Sequence, residues 1–287
     1  MLTPHQQAQY QAEGCLVLPG FKRAAEVAAL RERALALIDA FDAGRHRAVF
    51  ATDDQARKTS TATFLASAEG IECFFEEGAF DGDGRLVRDK AGAINKIGHA
   101  LHDLDPVARA FSHGPALAAV AAGVGLVAPQ VWQSMVICKP PAIGGEVHWH
   151  QDASFLHTAP ESVVGFWFAL EDATRDNGCL WVQPGGHRGP LRERFGRVPS
   201  PTTADGGVAL TMQTLDATPW PTLDQAVPLE VPAGTLVVFD GLLPHCSAPN
   251  RSDRSRMAYT LHATDGRAAY SPLNWLQRPT LPLRGFD

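Results

Sequence analysis

The stretch His150-Gln151-Asp152-Ala153-Ser154-Phe155 decides the fold and chemistry expected of this chain, together with His245 far downstream. His150 and Asp152 are two positions apart, so on an extended strand end both side chains project to one face and reach one ion. Two imidazoles and one carboxylate occupy one face of an octahedral iron(II) and leave positions open for a co-substrate and dioxygen, whereas a structural zinc site closes all four. A His-x-Asp pair alone is more often two surface residues. With His245 added, the pattern predicts a mononuclear iron(II) centre.

The sequence around this triad favours a mainly β fold. From residue 129 onward, short β-prone runs alternate with Pro/Gly turns. These runs are Val131 to Cys138, Val163 to Leu170, Cys179 to Gln183, Thr235 to Asp240 and Met257 to His262. Their density predicts a double-stranded β-helix, the cupin-like jelly roll, whose mouth can hold metal and ligand. His245 follows the fourth run, which can carry it back to the metal.

The N-terminal part predicts helices that flank this β fold. Thr3-Pro4 and Gly14 delimit a helix of about residues 4 to 13, and Cys15 to Leu18 form a strand. Apolar spacing predicts further helices over 24–41, 106–112 and 115–124. Residues 43–93 are expected to be irregular, with a hairpin turn at 81–84. We therefore expect one domain over 1–287, with a helical and irregular N-terminal support (1–128) and a jelly-roll core (129–287). The core contains an insertion at about 188–227, and such an insertion is usually a lid or disordered.

Composition points to a protein that acts on small molecules. The chain has 287 residues, 45% of them apolar, and a net charge of -6 without a basic block, which argues against nucleic acid as a partner. It contains neither an apolar run long enough for a membrane span nor a secretory signal at its start. Five scattered cysteines without a Cys-x-x-Cys spacing indicate reduced thiols, so a cytoplasmic location is expected. No feature specifies an oligomeric state.

Arg256 is the candidate anchor for a dicarboxylic co-substrate. It heads the alternating strand Met257 to His262, where its guanidinium would face inward and match a carboxylate in bidentate fashion. A keto acid that chelates the metal at one end needs such an anchor at the other. The alternative is a surface ion pair within the charged run around Arg251 and Arg254.

Several separated motifs together resemble the phytanoyl-CoA dioxygenase family of iron(II)/2-oxoglutarate oxygenases, in particular its domain-containing members, nearly end to end. Those motifs are Ile94 to Leu101, Gln133-Ser134-Met135, His150 to Phe155, Glu171 to Thr174, Asn177 to Trp181, Pro184 to His187, Ser252 to Arg256 and Asn274-Trp275-Leu276. The resemblance implies a dioxygenase that uses Fe(II), 2-oxoglutarate and O2 to hydroxylate a small-molecule substrate, with release of succinate and CO2.

The same resemblance assigns roles to individual residues. It implies that His150, Asp152 and His245 bind iron, and that Arg256 with Ser247 holds the distal carboxylate of 2-oxoglutarate. It also places three further residues in the co-substrate pocket, which from their own chemistry would be structural. These are Lys96, Met135 and Trp167.

Four more candidates are weighed against these and set aside. Cys246 adjoins His245 but would point to the opposite face of a strand, so it is not expected to bind the metal. His148 is expected outside the ligand set or at the surface. His99 is a weak candidate for a substrate contact, and both His99 and His187 are more often structural.

Two other functions remain open on sequence grounds. One is a cupin-like metal hydrolase or isomerase, which would use a metal-bound water and no keto-acid anchor. The other is a non-catalytic 2-oxoglutarate or iron sensor. The substrate is not specified, and phytanoyl-CoA itself is disfavoured because no basic cluster suits the coenzyme A phosphates.

Overall fold

Two antiparallel β-sheets form the body of the molecule, seen in a computed structural model that describes residues 1–44, 46, 48–50, 62–199 and 207–287. The strands in chain order are β1 (Cys15–Leu18), β2 (Ile71–Phe75), β3 (Ile94–His99), β4 (Pro129–Lys139), β5 (Val147–His150), β6 (Thr158–Ala159), β7 (Val164–Ala169), β8 (Leu180–Val182), β9 (Glu193–Pro199), β10 (Val208–Thr214), β11 (Val227–Leu229), β12 (Leu236–Asp240), β13 (His245–Ser247), β14 (Arg256–Asp265) and β15 (Ala269–Tyr270). The large sheet has the order β1-β12-β7-β14-β4-β3-β2, and the small sheet has the order β11-β8-β13-β5. The mainly β prediction is confirmed.

Strand β14 shows how side-chain alternation builds the two layers. Met257, Tyr259 and Leu261 point outward into a core shared with the helices, where they are at most 7% exposed. Burying each such side chain contributes about 1.5–3 kcal/mol. The residues between them face the small sheet, and we call this side of the large sheet its inner face. On β14 the inner face carries Arg256, Ala258, Thr260 and His262.

Five of the six helices among the described residues pack on the outer face of the large sheet, whereas Ala62–Ala66 buries Phe64 in a separate apolar cluster with Phe74 and Trp275. In chain order the six helices are α1 (Pro4–Glu13), α2 (Ala24–Ala40), α3 (Ala62–Ala66), α4 (Leu101–Leu104), α5 (Pro106–Ser112) and α6 (Pro115–Gly123). Thr3 caps α1 by accepting a 3.2 Å hydrogen bond from the Gln6 amide, and Gly14 ends the helix at φ 78°. The four predicted helices are confirmed within one residue. Phe41 is extended, so α2 ends at Ala40.

The expectation of irregular structure over 43–93 is wrong for helix α3 and, beyond it, for residues 71–75. This run is strand β2, which pairs with β3 at the edge of the large sheet and buries Cys73, Phe74 and Phe75. The division at residue 128 also needs correction, because β1, β2 and β3 supply three strands of the large sheet. The predicted hairpin turn is present, since the Asp81 amide donates to the Arg85 carbonyl at 2.9 Å. Residues 45, 47 and 51–61 lie outside the described part.

The expected insertion at 188–227 forms a β-hairpin of its own. Strands β9 and β10 pair over their full lengths, and Phe195 and Leu210 are buried with Trp275 in a shared apolar cluster. Disorder is therefore the wrong alternative for the described part of the insertion, from which residues 200–206 are excluded.

The state of the cysteines agrees with the expectation of reduced thiols. All five cysteines are free and buried. Within the described ranges, no helix combines the length and apolar character needed to cross a bilayer.

Candidate metal centre and co-substrate site

Strands β5 and β13 bring the two predicted histidine ligands side by side. His150 and His245 are direct cross-strand partners, and their ring centroids lie 4.1 Å apart. The sequence predicted Asp152 on an extended strand end, but Asp152 does not continue strand β5. It begins a single turn of 3-10 helix over Asp152–Ser154, after an extended Gln151. The carboxylate nevertheless turns toward both rings, so the three predicted ligands converge.

The three ligand atoms form a compact donor set. One atom from each of His150, Asp152 and His245 lies within 4.8 Å of the others. Asp152 Oδ1 is 3.7 Å from His150 Nε2 and 3.8 Å from His245 Nε2. These separations suit a divalent cation between the atoms, because nitrogen and oxygen ligands bind at roughly 2 Å.

Backbone carbonyls fix the orientation of both imidazoles. His150 Nδ1 lies 2.8 Å from the carbonyl oxygen of His148, and His245 Nδ1 lies 2.9 Å from that of Leu243. A carbonyl only accepts, so each Nδ1 carries the proton and each Nε2 presents its lone pair to Asp152. Metal-binding histidines are held in this way.

The electrostatics of the centre favour a neutral imidazole at His150 and an ionised carboxylate at Asp152. Burial, followed by the proximity of His245, lowers the pKa of His150 to about 3. Burial by itself raises the pKa of Asp152, but His262, His245 and His150 outweigh it and bring that pKa below its usual range. A neutral imidazole beside an ionised carboxylate fits a divalent cation.

His262 and Gln133 also belong to this centre, and neither was predicted. His262 Nε2 lies 3.0 Å from Asp152 Oδ2, and His262 Nδ1 lies 3.0 Å from Gln133 Nε2. The sequence did carry one signal. His262 is six positions after Arg256 on an alternating strand, so both must share the inner face.

Arg256 is buried and has one uncommitted nitrogen. It is 1% exposed, its Nε donates to the Gly178 carbonyl at 3.0 Å, and its Nη2 donates to Ser247 Oγ at 3.1 Å. Nη1 has no hydrogen-bond partner among the described residues. Burial lowers the pKa of Arg256 only to about 10, so the group stays cationic at neutral pH. An orphaned guanidinium N–H inside a protein fits a carboxylate ligand, and the inward-facing position predicted for Arg256 is confirmed.

A cavity of about 700 Å³ opens beside the metal centre. His150 lines it, as do Lys96 and Met135 from the predicted co-substrate set. Trp167 does not line this cavity. Its ring centre lies 5.7 Å from the guanidinium carbon of Arg256, the predicted carboxylate anchor.

Aromatic side chains dominate the cavity wall. They are Phe50, Phe64, Trp149, Phe155, Phe195, Trp220 and Trp275. Lys96 is 5% exposed and its Nζ lies 3.3 Å from the centre of the Phe50 ring. Because no ion pair offsets its burial among the described residues, its pKa falls well below the usual value.

The four candidates that were set aside lie in different surroundings, and His148 and His99 both line the cavity. The His148 side chain is 53% exposed, and Nδ1 lies 3.4 Å from a Glu146 oxygen. His187 contacts the Gln11 carbonyl at 3.2 Å, away from the metal centre. Cys246 is buried, and burial raises its pKa to about 12, so it is a protonated thiol. His99 lines the cavity wall, with Nδ1 2.8 Å from Ser67 Oγ.

Solved structures share the fold along nearly the whole chain. The epimerase SnoN in complex with Fe3+, alpha ketoglutarate and nogalamycin RO is 19% identical, has a TM-score of 0.63, and the match covers 98% of this chain and 93% of that one. EctD from S. alaskensis with 2-oxoglutarate and 5-hydroxyectoine is 21% identical, also with a TM-score of 0.63, over 98% and 82% of the two chains. The predicted cupin-like jelly roll is thereby confirmed.

Sequence relatives are closer. "Phytanoyl-CoA dioxygenase 1" of Oryza sativa subsp. japonica is 45% identical over 284 residues, 98% of this chain and 96% of that protein. "Phytanoyl-CoA dioxygenase domain-containing protein 1" of Bos taurus is 43% identical over 288 residues, covering 98% and 97%. The family model for phytanoyl-CoA dioxygenase (PhyH) matches residues 10–258. Since the family model covers most of the chain and the two relatives match nearly all of it, this protein belongs to the phytanoyl-CoA dioxygenase (PhyH) family.

Proposed function

We propose that the protein is an Fe(II)- and 2-oxoglutarate-dependent dioxygenase that hydroxylates a small-molecule substrate and releases succinate and CO2. The observation that carries this proposal is the convergence of His150, Asp152 and His245 within 4.8 Å. The family and the solved structures that share the fold support it. The five free thiols favour a cytoplasmic site of action.

In this proposal the triad holds iron through two imidazole Nε2 atoms and one carboxylate oxygen. The iron, when bound, supplies the redox chemistry that couples oxidative decarboxylation of 2-oxoglutarate by dioxygen to oxidation of a substrate C–H bond. The protein contributes ligand orientation. The carbonyls of His148 and Leu243 fix the two imidazoles, and three protein ligands leave room for exogenous ones.

Arg256 and Ser247 bind the distal carboxylate of 2-oxoglutarate. Nη1 of Arg256 supplies the free donor, and Ser247 holds the neighbouring Nη2 in place. Trp167 lies behind the guanidinium and contributes a ring face to its cation. Lys96 and Met135 line the cavity with His150, where Lys96 adds an amine donor and Met135 a polarisable wall.

The aromatic cavity suits a substrate with substantial apolar surface. Of the described residues that line it, Lys96 is the one lysine or arginine. A coenzyme A moiety carries several phosphates, which a single buried cation does not neutralise. We therefore expect small acids, amides or neutral ring compounds to serve better than coenzyme A thioesters.

The test is anaerobic reconstitution with Fe(II) and 2-oxoglutarate, followed by oxygen and a panel of small acids, amides and acyl thioesters. Succinate release that rises with one class of compound, together with a product heavier by one oxygen atom, supports the proposal. His245→Ala should abolish it, because one ligand is lost. The adjacent Cys246→Ala should leave it intact, because that thiol does not face the metal.

The same experiment separates the two alternatives. A sensor would bind Fe(II) and 2-oxoglutarate tightly but release no succinate with any compound. A hydrolase or isomerase would turn over without 2-oxoglutarate and would not need Arg256. The orphaned Nη1 of Arg256 favours the oxygenase, since a buried unpaired guanidinium N–H is costly without a ligand.

A further inference from the structure

The two oxygens of the Asp152 carboxylate face different partners. Oδ1 lies toward His150 and His245, at 3.7 and 3.8 Å from their Nε2 atoms. Oδ2 lies 3.0 Å from Nε2 of His262, an ion-pair contact, and has no aligned hydrogen-bond partner among the described residues. The side chain is 5% exposed, so its orientation is set by protein atoms rather than by bulk water.

His262 reaches Asp152 from the opposite sheet. It lies on the inner face of β14 in the large sheet, whereas Asp152 directly follows β5 of the small sheet. Its cross-strand partner on β7 is Gly165. A Cβ at Gly165 would stand 2.8 Å from Asp152 Oδ2, so the glycine leaves the space in which the carboxylate lies against the large sheet.

Gln133 sets the proton arrangement of the His262 ring. An ionised carboxylate attracts an N–H group and repels a nitrogen lone pair, so the 3.0 Å approach favours the ring form in which His262 Nε2 carries the hydrogen. The other ring nitrogen can then accept from the Gln133 side-chain amide, whose Nε2 lies 3.0 Å from His262 Nδ1. Gln133 is the cross-strand partner of His262 on β4, so the sheet register itself aligns the two side chains.

From this arrangement we infer that His262, oriented by Gln133, is a positioning residue that holds Asp152 so that only Oδ1 binds the metal. The inference rests on the proposed function, because it assigns a role relative to the proposed iron ligand. Holding Oδ2 on the large sheet prevents two-oxygen binding, which would occupy a further metal position needed by 2-oxoglutarate or dioxygen. Partners of metal ligands act through orientation in this way.

Metal affinity tests the inference without reference to turnover. Binding of Mn(II), a redox-stable substitute, is measured by calorimetry under anaerobic conditions with and without 2-oxoglutarate. His262→Phe keeps an aromatic ring but removes the donor, and we expect affinity to fall about 10- to 100-fold, the range typical of lost ligand-orienting partners. His262→Gln places an N–H near the former Nε2, and it should restore affinity to within about 5-fold of the wild type.

Gln133→Leu tests the inference independently and stays informative if the His262 variants do not fold. It leaves His262 in place but removes the donor to Nδ1, so Mn(II) affinity should fall by less than in His262→Phe. The matched control is Tyr259→Phe on the same strand but the opposite face. It also removes one buried hydrogen bond, 2.7 Å to Ser112 Oγ, and should leave metal affinity unchanged.

A spectroscopic measurement distinguishes positioning from general packing. The visible charge-transfer absorption of the anaerobic Fe(II)–2-oxoglutarate complex should shift in His262→Phe and return in His262→Gln. Equal Mn(II) affinity and an unshifted band in folded His262→Phe, or in folded Gln133→Leu if the former does not fold, would overturn the inference. Failure of the wild-type protein to bind either metal would instead overturn the proposed function.

Discussion

Arg256 and Ser247 are joined by a 3.1 Å hydrogen bond, and both also donate to the carbonyl oxygen of Gly178, from 3.0 and 2.8 Å. These bonds immobilise the guanidinium and leave Nη1 as its free donor among the described residues. The site is therefore formed before any ligand arrives. A preorganised anchor loses little side-chain entropy on binding, which strengthens the carboxylate interaction.

Arg256→Ala is expected to raise the KM for 2-oxoglutarate about 10- to 100-fold, because a charge-assisted hydrogen bond to a carboxylate contributes about 1.5–3 kcal/mol. Succinate release over a 2-oxoglutarate titration measures this. Arg254→Ala is the matched control, since Arg254 is exposed in the same charged run. Unchanged turnover in Arg256→Ala would favour the hydrolase or isomerase alternative.

Lys96 and Lys139 are both buried lysines, but the same substitution should affect them in opposite directions. Lys96 Nζ lies against aromatic rings, whereas Lys139 Nζ donates to the carbonyls of Gly145 and Ala248. Lys96→Met should stabilise the ligand-free protein by on the order of 1 kcal/mol, because an unpaired buried amine is replaced by an apolar chain. Lys139→Met should destabilise it by about 2–4 kcal/mol, because carbonyl oxygens lose their donor.

Thermal and urea unfolding of the two variants measure this contrast. Lys96→Met should at the same time raise the KM for 2-oxoglutarate by roughly 5- to 10-fold, the effect of losing one hydrogen bond to a charged group. Stabilisation together with weaker co-substrate binding is the signature of a residue kept for function. If Lys96→Met destabilised the protein as much as Lys139→Met, its burial would be structural.

Gly165→Ala tests the space that Asp152 occupies. The added Cβ would lie 2.8 Å from Asp152 Oδ2 and 2.4 Å from the Phe239 ring, so both side chains must shift. Overpacking of this kind costs about 1–3 kcal/mol of unfolding free energy. We also expect weaker Mn(II) binding, measured by calorimetry. Gly82→Ala is the control, because a Cβ at Gly82 would have no atom within 4 Å, and this variant should bind Mn(II) like the wild type. Gly20→Ala is less suitable, because the φ of +64° at Gly20 would strain an alanine.

The local features of the fold were predictable from the sequence, and the long-range pairings were not. Thr3, Pro4 and Gly14 delimit α1 through their own backbone and side-chain chemistry, so the prediction needed no other part of the chain. The pairing of His150 with His245 depends on two short strands far apart in sequence. Spacing alone indicated that they meet, but not that they are neighbours in the small sheet.

Strand β2 was missed for a related reason. Its five residues lie between polar segments, and their partner β3 supplies the ladder that makes them a strand. The Asp152 partner His262 was missed although the alternation of β14 placed it on the inner face with Arg256. That alternation gives the face of a residue but not which side chain of the opposite sheet it meets.

Glu161 should make stability depend on pH in a defined window. Its side chain is 24% exposed and contacts His157 Nδ1 through Oε1, and burial raises the pKa of its carboxyl from the usual 4.5 to about 7. Between these values the folded protein retains a proton that the unfolded chain has released. The unfolded state therefore binds fewer protons, and this group's contribution to stability falls as the pH rises from 4.5 to about 7.

Glu161→Gln removes the titration but keeps the shape of the side chain. At a pH of about 4 both proteins carry a neutral group, so their melting temperatures should agree closely. At about pH 8 the wild type carries a buried carboxylate, and the variant should be more stable by on the order of 2 kcal/mol, equivalent to a melting temperature a few degrees higher. Differential scanning calorimetry at both pH values measures this.

Exposed Glu32→Gln is the matched control, with the same difference from wild type at both pH values. A Glu161→Gln difference that did not change with pH would show that burial of the carboxylate does not control its protonation.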